Sequence, residues 1–133
     1  PILCVGETEQ ERAYSNSAEI VGTQVKTGLA DVTDITSITI AYEPRWAIGT
    51  GRVPKLDAIK EIIAQGIRKT LQESYPEAYM APNVLYGGSV TPENVLEFCS
   101  DTSIDGVLVG GASLTCDTFT QIISLTLEST RHG

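Results

Sequence analysis

The chain has 133 residues, with 17 acidic against 9 basic side chains and a formal net charge of −8. That length suits one domain, and that charge excludes a protein built to hold a nucleic-acid backbone. No apolar run approaches the roughly 20 residues needed to span a bilayer.

The acidic balance leaves open a small phosphorylated ligand, which backbone N–H groups can hold locally. Neither a charged n-region nor a secretory apolar segment opens the chain. Pro1, with no methionine before it, leads straight into an apolar strand, which suggests a fragment or a processed chain. Cys4, Cys99 and Cys116 match no zinc or Cys-x-x-Cys spacing and read as free thiols of a reducing compartment.

In chain order, Pro1 to Val5 reads as a short strand, Gly6 to Thr8 as a turn and Glu9 to Ala13 as one helical turn. Asn16 with Glu19 three residues later resembles a capping box that opens a helix. Val21, Val25, Leu29 and Val32 form its apolar stripe, and Gly28 weakens its end. Ile35 to Ala41 reads as the second strand, with Ile38, Ile40 and Tyr42 on one face and Thr39, Ala41 and Glu43 on the other. Glu43 therefore ends a strand on a crowded inner face. A carboxylate partly withdrawn from water there suits general-base work. Pro44 stiffens the exit, and Gly49 and Gly51 supply the freedom that a moving loop needs.

Pro54 stands near the start of the next helix, whose buried face is Ile59, Ile62, Ile63, Ile67 and Leu71. Lys60, Glu61, Arg68 and Lys69 read as its solvated side, and Ser74 to Pro82 as loop. The third strand is Asn83 to Tyr86, followed by Gly87-Gly88-Ser89-Val90. Thr91-Pro92-Glu93 has the form of a helix start, with Thr91 at the N-cap. Val95, Leu96, Phe98 and Cys99 are its expected buried side. Gly106 to Val109 reads as a doubly covered parallel strand running into Gly110-Gly111-Ala112-Ser113-Leu114. The last helix is expected from Asp117 to about Glu128, with Phe119, Ile122, Ile123 and Leu127 inward, and Arg131, His132 and Gly133 form a polar tail. The fold class is thus α/β: four strand–helix repeats, with right-handed crossovers giving a parallel sheet.

Three glycine-bearing loops leave the same ends of the strands: Gly49, then Gly87-Gly88-Ser89, then Gly110-Gly111. Ligands of α/β proteins collect at those ends. Glycine lets a backbone approach an anion, and a helix opening at Gly110 to Ala112 would offer it unpaired N–H groups. Lys26, Lys55, Lys60, Lys69 and His132 are expected to have no part in the site.

The run Ala41-Tyr42-Glu43-Pro44-Arg45-Trp46-Ala47-Ile48-Gly49-Thr50-Gly51 resembles triosephosphate isomerase closely. So do Cys4-Val5-Gly6-Glu7, Tyr86-Gly87-Gly88-Ser89-Val90 and Gly106-Val107-Leu108-Val109-Gly110-Gly111-Ala112-Ser113-Leu114. The resemblance covers essentially residues 1–133 and implies the second half of a (β/α)₈ barrel, strands five to eight, with the first half outside this chain. It implies an isomerase of triose phosphates in glycolysis and gluconeogenesis, cytoplasmic, usually a homodimer, with no cofactor, no metal and neither nucleic acid nor membrane as partner. On the matching positions, Glu43 is the base. Gly49, Ser89, Gly110 and Gly111 supply N–H groups to the substrate phosphate, with Leu108 lining that wall. Tyr86 and Ser89 receive the closed lid, Trp46 packs when the lid shuts, and Glu7 is an acid near the floor. The resemblance further implies a lysine and a histidine in the first half that complete the site. Arg45 and Arg52-Val53-Pro54-Lys55 depart from the family's usual lid hinges. A non-catalytic phosphate-binding module of the same family, or another phosphate-binding barrel, remains open at this point.

Overall fold

A computed structural model describes residues 1–131; His132 and Gly133 of the expected tail lie outside the described residues. Four parallel strands, β1 (Ile2–Val5), β2 (Thr39–Tyr42), β3 (Asn83–Gly87) and β4 (Gly106–Leu108), lie in the sheet in the order of the chain. The register pairs Val5 with Tyr42, Tyr42 with Tyr86, and Tyr86 with Val107. Alternation puts Val5, Ile40, Tyr42, Val84 and Tyr86 on one face, where they meet the helices and form the core. Ile2, Cys4, Ala41, Glu43, Gly87 and Leu108 share the other face.

Between the strands run α1 (Glu9–Tyr14), α2 (Ser17–Gly28), α3 (Leu56–Glu61), a π-helical segment (Ile62–Arg68), α4 (Lys69–Ser74), α5 (Val95–Cys99) and α6 (Cys116–Arg131). The α3–π–α4 stretch is one rod, helical at both joints. Ile59, Ile63, Ile67 and Leu71 on it are all buried, as their spacing predicts. Steps of four advance about 40° around a 3.6-residue turn, so this stripe would drift off the core in a pure α-helix. The wider π winding turns it back. The rod and α2 cross in backbone contact: a Cβ on Gly66 would lie 2.8 Å from Ala18 O, and one on Gly22 would lie 3.2 Å from Gly66 O.

Several local expectations need correction. The capping box sits at Thr8 and Glu11; Asn16 caps α2 only through the N–H of Ala18. The second strand starts at Thr39 rather than Ile35, because residues 35–38 make a turn closed by Ile38 N–H to Ile35 O. Val32 lies past the end of α2. The assigned helix after Thr91 begins at Val95. The N–H of Thr91 donates to Asn94 Oδ1, so the side-chain bond at this turn runs from Asn94 back to Thr91 rather than from Thr91 forward. Leu96 faces outward, as do Phe119, Ile123 and Leu127, while Ile122 is buried. β4 is an edge strand whose residues are all half-buried, not a doubly covered one.

Arg68 is not a solvated charge. Its Nη1 donates to Tyr79 O at 3.1 Å and Pro82 O at 2.9 Å, pinning the loop before β3. Lys60 bonds Asp101 at 3.0 Å and so links the rod to the turn after α5. The hydroxyl and N–H of Ser103, then Lys60, hold the Asp101 carboxyl below its ordinary range. A lowered folded value means that the stabilisation is complete above the ordinary 3.8 and is lost as the pH falls through the lowered value. Asp101→Asn in the full-length polypeptide is therefore expected to cost about 1 kcal/mol at pH 7 by urea denaturation. The gap to the parent should close at acid pH; a gap that persists there would contradict this account.

Candidate active site

Beyond the strand ends, the β1–β2 pairing continues. Glu43 N–H donates to Val5 O at 2.7 Å and Arg45 N–H to Glu7 O at 2.9 Å. Pro44 falls between them, where parallel pairing asks for no donor. Gly6 faces this point, and a Cβ there would stand 1.8 Å from the Glu43 carbonyl oxygen. Gln24 of α2 clamps Gly6 from behind, accepting its N–H at 2.7 Å and donating to its carbonyl at 3.1 Å. The Glu43 side chain then crosses Gly87, where a Cβ would meet Glu43 Cγ at 2.7 Å. Two glycines thus fix the main chain and the carboxylate of one half-buried acid.

The Cys4 thiol stands beside that carboxylate. Desolvation first, then a hydrogen bond to Glu43 and its negative charge, push the thiol up. Spacing arithmetic could not reveal this neighbour, although strand alternation does put Cys4 on the face of Glu43.

Residues 45–51 form a chain of turns with Gly49 at φ 67° and Gly51 at φ 74°, the left-handed region that glycine enters freely. This flap is fastened at both ends. At the first, Trp46 Nε1 donates to Glu7 Oε1 at 2.9 Å, and Tyr42 OH lies 3.2 Å from both Glu7 oxygens. Burial first, then the charge of Glu7, pushes the Tyr42 hydroxyl far up, so it stays a donor. At the second, Ser89 Oγ donates to Ala47 O at 2.6 Å and accepts the N–H of Gly51 at 3.0 Å. Ser89 holds φ 50°, unusual outside glycine, and Asn94 Nδ2 steadies it by donating to Ser89 O. The Tyr86 hydroxyl donates to Gly88 O rather than to the flap itself. The flap is shut.

Under it lies a cleft of about 340 Å³ lined by Glu43, Gly49, Ser89, Leu108, Gly110 and Gly111, together with Ile48, Gly51, Gly88, Val90, Thr91 and Ala112. Tyr86 sits beneath it, fully buried. Glu7 and Trp46, 1 % and 8 % exposed, do not line it but make a separate contact under the flap root. The expected helix at Gly110 to Ala112 is a single 3₁₀ turn, Gly111–Ser113. Its leading N–H groups still have no partner within the turn. A half-buried carboxylate, the turns at Gly88–Ser89 and Gly110–Gly111 and the flap therefore meet on one small cavity. Among the described residues no three His, Cys, Asp or Glu side chains converge to hold a metal ion.

A family model described as triosephosphate isomerase matches residues 1–126. A protein described as triosephosphate isomerase from Moorella thermoacetica is 47% identical over 126 residues, covering 93% of this chain and 50% of that protein. The chain spans about half the length of this curated relative.

The glycine contacts predict two different failures. Gly6→Ala drives a Cβ into immovable backbone and should cost about 3 kcal/mol or more in denaturant unfolding of the full-length polypeptide. Gly87→Ala meets only a side chain, so stability should fall by about 1 kcal/mol while a crystal structure shows the Glu43 carboxylate displaced. Equal losses in the two variants would refute this division.

Proposed function

The chain belongs to the triosephosphate isomerase family, and on that footing we propose that residues 1–133 are the C-terminal half of a (β/α)₈ barrel. Completed, it interconverts dihydroxyacetone phosphate and glyceraldehyde 3-phosphate. The observation that carries this reading is the meeting of Glu43 with the Gly110–Gly111 turn in one cleft beneath a fastened flap.

The Glu43 carboxylate takes a proton from the carbon beside the substrate carbonyl and returns it to the carbonyl carbon, while the hydroxyl proton passes to the former carbonyl oxygen, so that carbonyl and hydroxyl exchange places. Gly87 leaves its side chain room, and the β1–β2 pairing holds its backbone. The N–H groups of Gly49, Ser89, Gly110 and Gly111 hold the phosphate, with Leu108 as an apolar wall. The flap keeps water from the charge that develops during transfer. Ser89 serves both the flap and the phosphate, which links closure to binding. Glu7, Tyr86 and Trp46 support this arrangement without touching substrate. No metal or cofactor has a role in this scheme.

The first half of the barrel, in this reading, pairs with the outer edges of β1 and β4 and covers apolar side chains such as Ile2, 51% exposed. It also supplies the lysine and histidine that complete the family's site, and the surfaces of its usual homodimer. Family membership supports a place in glycolysis and gluconeogenesis, in the cytoplasm.

Turnover of glyceraldehyde 3-phosphate by the full-length polypeptide tests the reading. Glu43→Gln should lose about 10²–10⁴-fold in kcat while still binding a phosphate ligand; normal turnover would exclude Glu43 as the base. The 133 residues alone should self-associate through their open strand edges and be nearly inactive, since each missing polar donor costs about 10²–10³-fold. A monomeric, sharply melting species in sedimentation and calorimetry would overturn that expectation.

A further inference from the structure

The flap is also gripped from outside by charges that the proposed chemistry does not use. Arg12 Cζ, from α1, lies 4.0 Å from the centroid of the Trp46 ring, and Arg52 Cζ, just past the flap, lies 4.9 Å from it. Glu9, in the first turn of α1, takes both nitrogens of Arg52, at 2.8 and 3.2 Å, and stands 3.9 Å from Arg12. The flap leaves β2 at Glu43 and ends at Arg52. Arg52 therefore ties its far root to α1, while Trp46, near its first root, is the ring that both guanidinium groups cover.

We propose that Arg12, Arg52 and Glu9 form an external latch that holds Trp46 against Glu7 and sets how readily the flap opens. The latch rests on the reading of residues 45–51 as a lid over a substrate cleft. These are positioning residues: none lines the cleft. Their chemistry suits a weak, reversible fastening. A guanidinium over an indole face is attracted by the ring quadrupole, and a two-point Arg–carboxylate pair fixes the direction of the guanidinium. The side chains of Arg12, Arg52 and Glu9 are 44%, 51% and 58% exposed, so each contact shifts an opening equilibrium by only about two- to fivefold. A permanently shut lid would trap product; a fastening of this strength favours closure and still lets go. Exposure also makes it sensitive to salt, which screens charges at the surface.

The test follows Trp46 in the full-length polypeptide. Acrylamide quenching of its fluorescence, isolated by subtracting a Trp46→Phe protein, reports how often the ring is open to solvent. Arg52→Gln should raise the quenching constant about three- to tenfold at low salt, Glu9→Gln should act in the same direction, and Arg52→Lys should restore part of the protection. One molar sodium chloride should bring the parent protein toward Arg52→Gln. The same variant should raise KM for glyceraldehyde 3-phosphate severalfold without lowering kcat, a split that general destabilisation would not produce. Quenching unchanged by Arg52→Gln and by salt would overturn the latch. If quenching rises but the polypeptide turns over no triose phosphate, the latch stands and the isomerase reading fails.

Discussion

Everything at the site depends on how closely Gly6 approaches the carbonyl of Glu43. No side chain fits between them. Because of that contact, the β1–β2 pairing runs two residues past the strands, and the acid leaves the sheet at one fixed height. Gln24 reinforces the contact from the helix layer, so α2 braces the main chain at Glu43 as well as covering the sheet. Precision here comes from hydrogen-bonded backbone, which has far less freedom than a long side chain on a loop.

The helix layer carries a parallel constraint. Gly22 and Gly66 let α2 and the long rod touch backbone to backbone, and the π segment keeps the rod's isoleucines turned to the core over its whole length. Arg68, Tyr75 and Asp105 then tie down the loops at the opposite ends of the strands. Tyr75 OH reaches Leu29 O and Val32 O, and Asp105 accepts the N–H of Val84. The other end carries the glycine loops and the flap, with side-chain fastenings of its own from Glu7, Ser89 and Asn94.

Periodicity carried the architecture well. Alternating and helical patterns reach the strand–helix order, the parallel sheet and the buried faces of α2 and the rod, because burial imposes those periods directly. They fail where the environment is not local. Phe119, Ile123 and Leu127 have the spacing of a buried stripe, yet among the described residues of that helix only Ile122 is deeply buried, since a pattern says that a face is apolar and not what lies against it. Arg68 looks like any surface charge until the loop folds over it. The place of Glu43 was legible from strand alternation and its motif. The close approach of Gly6 and the hold of Gln24 on it were not, because each comes from another element. In the sequence, Arg52 is only a departure from the family's usual hinge. Its contact with Glu9 joins residues 43 positions apart, which no short-range pattern encodes.

Strand order in the sheet is the order of the chain, with no strand inserted between earlier neighbours. Each strand–helix unit therefore rests on the one made before it, like successive courses in a curved wall. Such a wall can be raised in the direction of synthesis, each course finding its bed already laid. It can also be lengthened or divided at a joint without rewiring the courses that remain.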